Sequence, residues 1–130
     1  MKILNTRAEH QASQLKELLE EQLDCQSIAL PLLDIVKIPV ETWKNKCHGE
    51  INKPDLLIFI STNAVHHSIQ YLKQCWPKMP IIAAIGLATN EALKTYNLKA
   101  QIIPSESNSE SLIKHPALQG ITNKTITLIK

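Results

Sequence analysis

The run Leu56-Leu57-Ile58-Phe59-Ile60, followed at once by Ser61-Thr62-Asn63-Ala64-Val65, constrains this chain more than any other stretch. Five consecutive apolar residues between Pro54-Asp55 and a Ser/Thr/Asn cluster are too few for a buried helix. They fit a strand covered on both faces, and hence a parallel sheet. The cluster behind the run suits a helix cap, because its side-chain oxygens accept hydrogen bonds from first-turn amides that lack a partner within the helix. Ser61 is therefore expected at the carboxyl end of a central strand and the amino end of a helix, where open α/β sheets bind their ligands.

Strand and helix patterns alternate along the rest of the chain. Ile3-Leu4 reads as a first strand, and Ala12, Leu15, Leu18, Leu19 and Leu23 recur at the spacing of an amphipathic helix. Ser27 to Leu30 reads as a second strand, Pro31 holds Leu30 extended, and residues 32–39 form an extended connector. Thr42 to Asn52, with Trp43 and Gly49, reads as a short helix and a loop. After the central strand, Ala64, Val65, Ile69, Leu72 and Cys75 mark one helix face, which Trp76-Pro77 ends. Ile81 to Ile85 is a further strand and Gly86 its turn. Ala88, Ala92, Leu93 and Tyr96 line the next helix, with Asn97 at its left-handed end. Ala100 to Ile103 is a short strand, Pro104 to Asn108 a polar loop, and Ser109-Glu110-Ser111 opens a helix that Pro116 shortens. Thr125 to Ile129 is the last strand. This alternation predicts an α/β fold, a parallel sheet flanked by helices of flavodoxin-like kind, joined by right-handed crossovers. A parallel strand normally leads into another element, so a chain that stops at Lys130 is expected to be part of a longer protein.

Fourteen basic against twelve acidic residues leave a net charge of +2, and no basic block marks a nucleic-acid footprint. Aromatic residues at 4% are too few to stack bases in series. No apolar run approaches the ~20 residues of a membrane span, and Met1-Lys2-Ile3-Leu4-Asn5 begins no signal peptide, so a cytoplasmic protein without a membrane partner is expected. Cys25, Cys47 and Cys75 are odd in number and lack C-x-x-C spacing, which predicts reduced thiols. His66 and His67 stand about 100° apart on a helix and cannot share a metal, while Cys47-His48 and His115 lack partners at ligand spacing. No metal is expected.

Ser61 and Thr62 lack a G-x-S-x-G elbow and a triad, so binding rather than nucleophilic attack is their expected role. Free amides at a helix amino end, with a hydroxyl beside them, favour a carboxylate. Thr6-Arg7 and Gly86-Leu87-Ala88-Thr89 take the equivalent places after other strands. Three strand ends on one edge of one sheet would then gather hydroxyls, amides and the Arg7 guanidinium into a surface for a polyanion. Ser61 stands where a phospho-acceptor domain needs Asp, and no glycine-rich turn supports a dinucleotide.

Thr6-Arg7, Pro31-Leu32 with Ile35, Phe59 to Val65, Ala84 to Leu93, and Ile103-Pro104 with Ser109-Glu110 and Leu112, in this order and spacing, resemble the amino-terminal half of uroporphyrinogen-III synthase. The resemblance implies two α/β domains around a cleft. Residues 1–30 would form a strand-helix-strand segment of the first domain, 31–39 an extended linker, and 40–130 part of the second. It implies an enzyme of heme biosynthesis, a hydro-lyase without metal or cofactor, that cyclises the linear, carboxylate-rich tetrapyrrole hydroxymethylbilane to uroporphyrinogen III. The hydroxyl leaves to give an azafulvene, ring closure gives a spiro intermediate, and reclosure inverts ring D. Ser61 and Thr89 match the family's substrate-facing hydroxyls and Arg7 its Thr-Arg pair, so Arg7, Ser61, Thr62, Asn63 and Thr89 are the expected substrate-binding residues. Ala8, Ile60 and Leu87 replace the family's usual proline, threonine and proline. The tyrosine proposed as general acid belongs to the half that this chain lacks, so the chain alone is expected to be inactive. An intact member is expected to be a monomer. In this shorter chain the first helix either covers the remaining sheet or exchanges with a second copy. The competing expectation is a non-catalytic ligand-binding or interaction module of the same fold.

Overall fold

A computed structural model describes residues 1–42 and 53–130. The helix and loop expected over Thr42 to Asn52, with Trp43, Cys47, His48 and Gly49, lie outside the described residues apart from Thr42. The chain divides into two units, Met1–Ile38 and Pro39–Lys130, each with its own parallel sheet.

In the first unit, β1 (Lys2–Asn5) pairs with β2 (Gln26–Ala29), Lys2 opposite Gln26 and Asn5 opposite Ala29. Between them runs α1 (Glu9–Gln22), whose N-cap residue Ala8 has no capping side chain. Asn5 compensates. It is buried, its Nδ2 donates to the Ala12 carbonyl at 2.9 Å and its Oδ1 accepts from the Arg7 amide at 3.3 Å, so strand end and helix start are tied together. Of the expected apolar stripe, Ala12 is buried and Leu15 and Leu19 are half-buried, whereas Leu18 and Leu23 stay exposed. Two strands are narrower than the stripe. Residues 30–39 form no regular element.

In the second unit the central run forms β3 (Leu56–Phe59), buried at every position. It pairs in parallel with β4 (Ile81–Ala84) on one side and β5 (Ile126–Ile129) on the other, Leu56 lying opposite both Ile81 and Ile126. No polar residue interrupts β3 because its two faces belong to two cores. Leu57, Phe59, Ile82 and Ala84 pack with Val65, Ile69, Leu72 and Trp76 of α2 (Thr62–Cys75) and its cap, and with Leu93 of α3 (Leu87–Lys94). Leu56, Ile58, Ala83 and Ile102 meet Leu112 of α4 (Ser109–Ile113). Each large apolar side chain among them contributes about 1.5–3 kcal/mol on full burial, which makes this sheet the stable part of the chain.

Three local expectations are corrected. Cys75 is exposed, and Trp76 is buried instead while its N–H closes α2 on the Leu72 carbonyl at 2.8 Å. Ala88 is exposed, and Thr89 and Asn90 face inward, because Asn90 Oδ1 accepts the Ala100 amide at 3.1 Å. The strand expected over Ala100 to Ile103 shrinks to a single bridge, Ala83 to Ile102. There the Gln101 side chain takes the Ile82 N–H at 2.7 Å, which a longer ladder would have used.

Counted in chain order within this unit, the strand segments lie third, second, first, fourth: Ile102, β4, β3, β5. Connections therefore run to opposite sides of β3. The order reverses beside it, and the crevice at its carboxyl end is the switch point at which open parallel sheets hold ligands.

Candidate functional site

Ser61 leaves β3 in extended geometry, φ −155° and ψ 162°, and caps α2. Its Oγ accepts the Ala64 amide at 3.0 Å and its carbonyl accepts the Val65 amide at 3.3 Å. The Thr62 and Asn63 amides precede the first intrahelical bond, and both residues are half-buried. Alongside, the Ile85 amide donates to the Phe59 carbonyl at 2.9 Å, so the end of β4 lies next to the end of β3. Gly86 then turns the chain at φ +95°, where a side chain would be strained, and begins α3 with no side-chain cap. The amides of Leu87, Ala88 and Thr89 precede its first intrahelical bond, from Asn90 to Gly86 at 3.3 Å. On the other flank, the Ile60 amide donates to the Ile129 carbonyl at 3.3 Å. Two helix amino ends thus open at the adjacent carboxyl ends of β3 and β4, that of α2 beside the switch point. Neither first turn holds an acidic residue, so amide donors and helix dipoles favour an anion without a fixed cation.

Ser61, Thr62 and Asn63 are brought together here. Thr89 lies at the neighbouring strand end but is only 3% exposed, and its Oγ1 donates to the Ile85 carbonyl at 3.2 Å. Arg7 is exposed in the first unit, without an ion pair among the described residues. The expectation of three strand ends on one sheet edge is corrected, because β1 pairs with β2 in a sheet separate from β3 and β4. A strand-helix-strand segment closes its own pairing locally, so Arg7 shares no sheet edge with Ser61.

Sequence reasoning missed Ser107. The loop over residues 104–108 follows the segment that bridges to β4, so it is the next strand end in the row. That succession was the available signal. A Cβ placed on Gly86 would lie 2.6 Å from Ser107 Oγ and 3.1 Å from Ser107 Cβ, so the loop lies directly on the β4–α3 turn. Among the described residues, no His, Cys, Asp and Glu cluster could hold a metal ion, and no helix is long and apolar enough to cross a membrane. Asp55, at the opposite end of β3, is held below the usual carboxylate range by the Thr125 amide and by Lys124, whose Nζ lies 3.1 Å away.

The family model for uroporphyrinogen-III synthase HemD matches residues 13–129. A mutant uroporphyrinogen III synthase from the extremely thermophilic bacterium Thermus thermophilus has a similar fold, with TM-score 0.60 at 16% identity over 87% of this chain and 46% of that one. The wild-type enzyme from the same bacterium matches with TM-score 0.47 at the same identity and coverage. This chain therefore spans about half the length of the solved relatives it matches.

Proposed function

This chain belongs to the uroporphyrinogen-III synthase family, and we propose that it forms one wall of the cleft in which an intact member converts hydroxymethylbilane to uroporphyrinogen III. The observation that carries the reading is the pair of helix amino ends at the adjacent carboxyl ends of β3 and β4. Acetate and propionate groups of the tetrapyrrole accept hydrogen bonds from the amides of Thr62, Asn63, Leu87 and Ala88 and from the hydroxyls of Ser61 and Thr62. Free substrate closes spontaneously to the other isomer, so the task is to hold one conformer while the spiro intermediate forms, and fixed neutral donors suit that task. Arg7 is the first unit's own candidate for binding a carboxylate, and Thr89 fixes the first turn of α3 through its bond to Ile85. The general acid comes from outside this chain. The chemistry so described calls for no metal or cofactor, and a cytoplasmic monomer is the proposed form of the intact enzyme. A non-catalytic module is not favoured, because the family match runs through nearly the whole chain.

Titration of the chain with uroporphyrin III, a stable octacarboxylate probe, tests this reading by amide chemical shifts. Shifts concentrated at Ser61 to Asn63 and Gly86 to Ala88 are expected. Absence of binding at millimolar probe, or shifts confined to other surfaces, would overturn it.

A further inference from the structure

We infer that Ser107, rather than Thr89, supplies the hydroxyl that meets the ligand on the α3 side of this site. The inference rests on the carboxylate-binding reading above and adds a residue to it. Thr89 is buried and its proton is committed to the Ile85 carbonyl, so donating to a ligand would require it to break that bond and reach solvent. Ser107 is exposed, and its Oγ has no hydrogen-bond partner among the described residues. Its Oγ lies 2.6 Å from the position that a Cβ on residue 86 would take, beside the turn that leads into the Leu87 and Ala88 amides. The missing side chain at Gly86 therefore serves two purposes: it allows φ +95°, and it lets the loop bring a hydroxyl to the opening of α3. Glu106, the neighbouring acid, is engaged through Oε2 by Asn108 Nδ2 at 2.9 Å, and Ser111 Oγ accepts the Glu106 amide at 3.2 Å. These bonds fix the loop on both sides of Ser107. A hydroxyl so placed can donate to a carboxylate that also accepts from the α3 amides, as a hydrogen-bonded anion requires.

The test compares Ser107→Ala and Thr89→Val in the 130-residue chain, reading uroporphyrin III affinity and the denaturant midpoint side by side. Ser107→Ala is expected to weaken binding by about tenfold, the usual loss for one hydrogen bond to a charged group, with the midpoint unmoved. Thr89→Val is expected to lower the midpoint and to weaken binding less than Ser107→Ala does. If the unsubstituted chain binds and Ser107→Ala binds equally well, or if Thr89→Val loses more affinity, the assignment of Ser107 is overturned while the site stands. If the unsubstituted chain does not bind, the site itself is overturned and Ser107 with it.

Discussion

Ser61 Oγ accepts the Ala64 amide through a lone pair, which leaves its proton able to serve the ligand of the proposed reading. Ser61→Ala should therefore cost about 1 kcal/mol of stability in denaturant unfolding, the usual loss of a helix cap, and should also weaken uroporphyrin III binding. A stability loss with unchanged affinity would reduce Ser61 to a cap. Asp55 gives a pH test at the other end of β3. Its carboxyl titrates below its ordinary value of 3.8 in the folded chain, so the stability it contributes is full above the unfolded value and is lost as pH falls through the lower folded value. Unfolding midpoints of the chain and of Asp55→Asn should differ well above that range and converge in strong acid; a gap that persists there would show that the carboxylate charge is not what matters. Ser61 was legible in the sequence because strand, cap and helix are contiguous. Ser107 was not. It reaches Gly86 only through the folding of the 104–108 loop, and no local pattern encodes that contact. Thr89 was legible as a position but not as a burial, since Asn90 turns α3 inward by bonding to Ala100.

At the scale of elements, periodicity located the strands and helices whose stability comes from packing, and failed where one side chain decided the outcome. The segment around Ile102 has the composition of a strand, yet Gln101 replaces a ladder hydrogen bond with its own side-chain carbonyl. The α1 stripe was equally clear, but its pattern cannot state how wide a surface the helix will meet. The same width governs stability. β1 and β2 form a two-stranded sheet in the unit Met1–Ile38, a size at which a single core seldom suffices alone, whereas β3 is flanked on both sides and buried on both faces. Amides of Ile3 and Ile28 are therefore expected to exchange with solvent faster than those of Ile58 and Ala83. Equal protection in both sheets would show that the first unit draws support from more than its own elements.

For the whole molecule, the decisive quantity is how much of a cleft this chain can build. Directing hydroxymethylbilane to isomer III requires that ring D be held inverted relative to the path free substrate follows, and that the competing conformer be excluded on every side. In the proposed reading the ends of β3 and β4 offer donors, Ser61 to Asn63 and Leu87 to Ala88, to one side of a ligand. Hydrogen bonds on that side select where carboxylates rest, but they leave the far rings free to turn. The chain covers 46% of a solved relative, and in the proposed reading the rest of such an enclosure comes from outside it. Binding and catalysis should consequently separate. The 130-residue chain is expected to bind uroporphyrin III while leaving the isomer ratio of enzymatically generated hydroxymethylbilane at its spontaneous value, as resolved by chromatography of the oxidised porphyrins. Isomer III above that background would mean that one wall is enough to direct closure, and the division of labour proposed between the two halves would have to be abandoned.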